Sequence, residues 1–94
     1  MLPFSTSEYK DALSGQRIRF SPESRGSGMV WIGEGWEKVG TWKRAPQGEK
    51  EILEITYNFA REETFLLTVT GVENGIVAAF RLAGRNDKKW EFRV

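Results

Sequence analysis

The stretch Phe65-Leu66-Leu67-Thr68-Val69-Thr70-Gly71-Val72-Glu73-Asn74-Gly75-Ile76-Val77-Ala78-Ala79-Phe80-Arg81-Leu82 decides the fold. Two alternating runs, 65–72 and 76–82, flank Asn74-Gly75. A type I′ turn needs positive φ at both central residues, which Asn and Gly tolerate, so this is a strong hairpin signal. With Glu73 opposite Ile76, the residues Phe65, Leu67, Val69 and Gly71 face Gly84, Leu82, Phe80 and Ala78. The large apolar residues of that set all fall on one face. The other face pairs Thr68 with Arg81 and Thr70 with Ala79 and suits solvent. A slip of one residue would destroy this agreement.

Downstream, residues 84–88 turn the chain, and Trp90, Phe92 and Val94 alternate with Glu91 and Arg93 as a last strand. Keeping one inner face across that turn requires an odd-length loop, which Arg85-Asn86-Asp87 supplies. Upstream, residues 51–59 alternate, with Leu53, Ile55, Tyr57 and Phe59 on one side and Ile52, Glu54, Thr56 and Asn58 on the other. Arg61-Glu62-Glu63 reads as the turn that follows. Ala45-Pro46-Gln47-Gly48 reads as the turn before, with Pro at i+1 and Gly at i+3 as type I prefers.

Residues 29–44 (M-V-W-I-G-E-G-W-E-K-V-G-T-W-K-R) hold three of the four tryptophans. They read as two strands closed by a two-residue Glu34-Gly35 turn, pairing Gly33 with Trp36, Trp31 with Lys38 and Met29 with Gly40. One face then carries Met29, Trp31, Trp36, Lys38 and Trp42. The other carries Val30, Ile32, Glu37, Val39 and Thr41. Both faces are partly apolar; the tryptophan face is expected to turn inward. Gly40 in mid-strand suggests a bulge, a bend or the close approach of a neighbour.

Residues 16–20 form a half-buried strand, with Ile18 and Phe20 in and Arg17 and Arg19 out. Residues 21–28, S-P-E-S-R-G-S-G, are a flexible loop by composition. Residues 5–14 read as one short helix. Ser5 and Glu8 have capping-box spacing, Tyr9, Ala12 and Leu13 share a helical face, and Gly15 follows as a C-cap. The sum is a single domain over residues 1–94: all-β apart from one short N-terminal helix (5–14), with an antiparallel meander of about seven strands (16–94) curled into a small barrel. The expected interior is Ile18, Phe20, Leu53, Ile55, Tyr57, Phe65, Leu67, Val69, Phe80, Leu82, Trp90 and Phe92.

Composition removes several chemistries. The 94 residues include no cysteine and no histidine. Disulfides, thiolate catalysis, cysteine metal sites and the commonest general base and metal ligand are therefore excluded. No carboxylate pair has a spacing that argues catalysis or metal binding, so the chain reads away from an enzyme, with no cofactor and no metal expected. Net charge is +1, a balanced surface. No basic region followed by an apolar run marks a signal peptide, and no apolar run approaches a membrane span. A soluble cytoplasmic protein with no membrane partner is the expectation.

Gly40-Thr41-Trp42-Lys43 resembles the glycine-x-tryptophan motif of the lipocalin-like (calycin) superfamily and the G-T-W-K of fatty-acid-binding proteins. In those families the motif lies on the first strand, whereas two strands precede it here. The resemblance implies a barrel, Trp42 packed at one barrel end, and an interior that binds a small apolar ligand. The expected function is accordingly a small binding module. It would hold a small apolar or aromatic ligand against Trp31, Trp36, Trp42 and Tyr57, with Lys38 as polar anchor. Two alternatives stand beside it. One is a homodimeric interaction module, because an open meander leaves edges. The other is a single-stranded nucleic-acid binder, with exposed aromatics interleaved among Arg17, Arg19, Lys38, Lys43, Arg44 and residues 85–89.

Overall fold

The computed structural model describes residues 2–58, 61–85 and 87–94. Eight strands follow one another: β1 (Tyr9–Asp11), β2 (Arg17–Phe20), β3 (Ser27–Ile32), β4 (Lys38–Gln47), β5 (Lys50–Tyr57), β6 (Arg61–Glu73), β7 (Ile76–Ala83) and β8 (Lys89–Arg93). Each pairs antiparallel with the next, and β1 pairs with β8, so the meander closes into a barrel. Closure removes the open edges that would otherwise template pairing with a second chain. The edge argument for a homodimer therefore does not apply to this sheet.

The Asn74-Gly75 hairpin forms as its sequence dictates. Asn74 and Gly75 have φ of 52° and 76°, and Glu73 pairs with Ile76, Val69 with Phe80, Leu67 with Leu82 and Thr68 with Arg81. One departure lies at Gly71, which faces Ala79 rather than Ala78, so Thr70 is not paired with Ala79. This bulge shifts the alternation of β7, so that Val77 and Phe80 are both buried. The odd-length turn before β8 also holds: Leu82 pairs with Trp90, and the Gly84 amide donates to the Lys88 carbonyl at 2.7 Å. Asn86 of that turn and Phe59 of the β5 face lie outside the described residues.

Of the remaining expected interior, Ile18, Phe20, Leu53, Ile55, Tyr57, Phe65, Leu67, Phe80, Leu82 and Phe92 are buried. Val69 and Trp90 pack partly buried against them. The core also takes Tyr9, Val30, Ile32, Trp42 and Val77.

Four local expectations are corrected. Residues 5–14 are not a helix: Tyr9–Asp11 is β1, with Tyr9 and Asp11 buried and Lys10 exposed. The Asp11 side chain accepts from the Leu13 amide (3.1 Å) and the Ser14 hydroxyl (2.8 Å). This Asx-type turn answers local backbone donors that a helix would have used. It leaves Leu13 95% exposed, so the supposed helical face does not exist. Arg61-Glu62-Glu63 is not a turn but the start of β6, opposite Tyr57, Thr56 and Ile55. The β4–β5 turn sits at Gly48-Glu49, with Gln47 opposite Lys50, and Ala45 and Pro46 continue β4. The β2–β3 connection is shorter than composition suggested. Ser24 and Ser27 exchange backbone hydrogen bonds across Arg25-Gly26, whose φ values of 55° and 77° match a type I′ turn.

Candidate functional site

Strand parity builds the barrel interior. Gly40, Trp42 and Arg44 point inward from β4, and Leu53, Ile55 and Tyr57 from β5. Tyr9, Phe20 and Phe80 complete an aromatic wall beside Trp42. Into this cup comes a ring that no barrel strand supplies. Phe4, on the segment leading to β1, stacks on Phe20 at 4.1 Å and 9°. It meets Trp42 edge-on at 5.5 Å and lies 5.2 Å from Phe80. Offset-stacked and edge contacts of this kind suit the ring quadrupole.

The polar groups of the cup are few and aimed. Arg44 has a side chain only 1% exposed. Its Nε donates to Glu51 Oε1 at 2.7 Å and its Nη2 to Oε2 at 3.3 Å, a forked pair that offsets the desolvation of the guanidinium. Its Nη1 donates to the Leu2 carbonyl, and its guanidinium lies 4.7 Å over the Phe4 ring. The Tyr9 hydroxyl donates to the Val77 carbonyl (2.6 Å) and accepts from the Ser5 amide (2.7 Å). Burial pushes the Tyr9 phenol above its ordinary pKa. The Val77 amide donates to the Pro3 carbonyl at 2.9 Å. Residues 2–5 thus form a strap tied to the cup by main-chain groups and by one ring.

The sequence-predicted set does not line one cavity. Trp42 is inside, 2% exposed, and its Nε1 has no hydrogen-bond partner among the described residues. Tyr57 is also buried, facing inward near the end of β5, at the opposite end of the barrel from the strap. Burial, with the Glu63 carboxylate adding to it, raises its pKa. Trp31, Trp36 and Lys38 lie outside. The β3–β4 connection is five residues long, 33–37, not two, and Trp31 pairs with Val39 rather than Lys38. A one-residue change of register moves every side chain to the other face, so Trp31 and Trp42 part company.

The outer residues make a site of their own. Trp36 adopts φ 57°, an uncommon backbone for a bulky side chain. The Glu37 carboxylate accepts from the Gly35 amide at 2.9 Å, and bonds to its own and the Gly35 amide hold its pKa below the usual carboxylate range. The Arg17 guanidinium lies 4.4 Å over Trp36, while Arg19 lies 4.7 Å from Trp31 and 5.3 Å from Trp36. The result is an outer ladder of alternating cations and indoles. Arg17 also pairs with Glu8 at 2.9 Å, which offsets part of the charge. Lys38 lies at the rim, its Nζ 5.7 Å from the Tyr57 ring.

Sequence reasoning missed Phe4, Tyr9, Arg44 and Glu51 as one group. Arg44 follows Gly40 and Trp42 at period two, so parity marks it as inward once Trp42 is inward. Its charge instead placed it on the surface. The strap carries no comparable signal, because it is held through main-chain carbonyls and amides. Among the described residues no group of three or more acidic, histidine or cysteine side chains could hold a metal ion. Among them, too, no helix is long and apolar enough to cross a membrane. Comparison with protein-family models, curated proteins and solved structures finds no match to this chain.

Proposed function

We propose that the protein is a small binding module whose ligand site is the aromatic cup now filled by Phe4. The observation that carries this reading is that the barrel wall is complete without residues 2–5, yet those residues place a ring and a carbonyl inside it. The strap is an occupant of the barrel rather than part of its wall. Lifting it leaves a recess lined by Phe20, Trp42 and Phe80, with Arg44 and Tyr9 as polar anchors. An apolar interior with a few convergent polar groups is the usual arrangement of a small-ligand site. Membership of the lipocalin-like superfamily belongs to the same proposal. Its supports are the closed antiparallel meander and Trp42 of Gly40-Thr41-Trp42-Lys43 reaching toward the strapped end.

The test is titration of Phe4→Ala with a panel of naphthalene-based fluorophores, followed by tryptophan quenching. The variant should bind at least one of them, and the parent chain more weakly because its own ring competes. Absence of binding by the folded variant would reject the cup as a site. Phe4→Leu serves the same purpose if the alanine variant does not fold.

The Arg–Trp ladder favours a second reading, a face for single-stranded nucleic acid. Its support is Trp36, held out in a left-handed backbone between guanidinium groups, where bases could stack and cations track phosphates. A gel shift with single-stranded RNA and DNA that weakens with salt, and is lost in Trp36→Ala, is the expected result. A shift unaffected by Trp36→Ala would remove this reading.

A further inference from the structure

We infer that the ligand class of the cup is an extended peptide carrying an aromatic side chain. The inference rests on the binding reading above and deepens it. The described pairing of β7 with β8 runs to Ala79 with Arg93, and the Val94 amide donates to the Ala78 carbonyl. Val77, one residue further, turns its amide and its carbonyl to groups outside the barrel ladder. The amide donates to the Pro3 carbonyl, and Phe4 forms a parallel bridge with Val77. At Val77 the cup therefore offers an added segment the main-chain groups that a sheet edge would. Such an edge is read by the main chain of an added extended segment, while pockets read its side chains.

The remaining contacts match a peptide backbone in order. The carbonyl two residues before the ring takes Arg44 Nη1. The next carbonyl takes the Val77 amide. The ring enters between Phe20, Trp42 and Phe80. The amide after the ring donates to the Tyr9 hydroxyl. Three main-chain groups and one side chain are read over four residues. The charge state of the cup points the same way. Glu51 already takes Nε and Nη2 of Arg44, so the pair is neutral, and of the three N–H groups left over one on Nη1 meets the strap. A neutral carbonyl suits that N–H, whereas a carboxylate would add an uncompensated charge to a nearly dry site. In the resting protein the strap satisfies all of these groups in cis. Tethering gives it an effective concentration on the order of millimolar, so a free peptide competes poorly until the strap's ring is removed.

The experiment uses full-length Phe4→Ala, with binding followed by tryptophan emission and by the NMR shift of the Val77 amide. The probes are acetyl-Leu-Pro-Phe-Ser-amide, the same peptide with alanine in place of phenylalanine, and a naphthalene fluorophore. The phenylalanine peptide should bind at least ~10-fold more tightly than the alanine peptide and should move the Val77 amide. The parent chain should bind it at least ~10-fold more weakly than the variant does. If the fluorophore binds but the two peptides do not differ, the cup is a site and the peptide class is wrong. If no probe binds, both the inference and the reading beneath it fail. Phe4→Leu, run through the same titrations, gives the same decision should Phe4→Ala unfold.

Discussion

Gly40→Ala tests whether the barrel closes as tightly as its geometry states. A Cβ built on Gly40 would lie 2.1 Å from the Thr56 carbonyl oxygen, 2.9 Å from the Thr56 carbonyl carbon and 3.1 Å from Tyr57 Cα. All three are backbone atoms of the paired strand β5, so no side chain can swing aside. Ordinary carbon–oxygen contacts lie near ~3.3 Å, so the strands would have to part by about 1 Å. Overpacking of this kind costs about 1–3 kcal/mol. Weakening one or two neighbouring ladder bonds adds about 0.5–1.5 kcal/mol for each. The expected loss is therefore about 3–4 kcal/mol, against roughly 5–15 kcal/mol for a whole domain. It corresponds to a fall in Tm of about 12–30 °C at this chain length. Urea unfolding followed by tryptophan emission measures it, with an unchanged m value as the sign that only stability has moved. Gly48→Ala is the control. Gly48 has open space around it and φ +64°, so only the left-handed backbone is penalised, at about 1 kcal/mol. A Gly40→Ala loss no larger than the control's would refute the close approach of β4 and β5.

Three further outcomes are expected. Trp42→Ala should cost about 3–5 kcal/mol as a buried ring is lost, while Trp42→Phe should cost less than half of that, because the indole N–H has no partner among the described residues to forfeit; equal losses in thermal melts would mean that the N–H is bonded. Burial raises the Tyr57 pKa in the fold, so its contribution is intact below the ordinary tyrosine value of about 10 and is lost as pH climbs through the raised value; Tyr57→Phe should flatten that alkaline decline, and an unaltered decline in urea titrations from pH 9 upward would contradict the buried placement. Iodide should quench emission from Trp31 and Trp36 but not from Trp42, so replacing the first two with phenylalanine should leave only the weaker quenching of the half-buried Trp90; quenching undiminished in that double variant would contradict the outward placement of the pair.

What the sequence disclosed, and what it concealed, follows from the range of the forces involved. The Asn74-Gly75 hairpin is legible because its turn chemistry and its alternation are local and agree with one another. β1 is illegible for the opposite reason. Ser5, Glu8, Tyr9 and Leu13 have helical spacing, but three residues of β1 close the barrel against β8, across most of the chain. That tertiary pairing and the Asp11 turn outweigh a weak helical preference. The tryptophan stretch was decided by parity. A Glu34-Gly35 turn and the actual five-residue loop differ by a single step in pairing, and that step separates Trp31 from Trp42. Gly40 was legible as a close approach, because glycine in mid-strand has few other uses. Of the cup, Trp42 is legible as a site residue and Phe20 and Phe80 as interior, whereas Phe4 and Glu51 carry no signal of their own. Arg44 was read by its charge, and the strap's carbonyls belong to the backbone, on which side-chain identity has little to say.

The three-residue strand β1 also sets an order of events. Each of the other pairings joins neighbours along the chain, whereas Lys10 with Arg93 and Asp11 with Phe92 span more than eighty residues. Closing so long a loop is entropically dear, and its reward is only two residue pairs. The hairpins from β3 to β8 can assemble first, and the seam at β1 follows. The same seam is the place where the finished barrel opens most readily, since little free energy is regained there per residue ordered. Residues 6–8 join the strap to β1, so the seam lies only a few residues along the chain from the segment that fills the cup, and Tyr9 belongs to both.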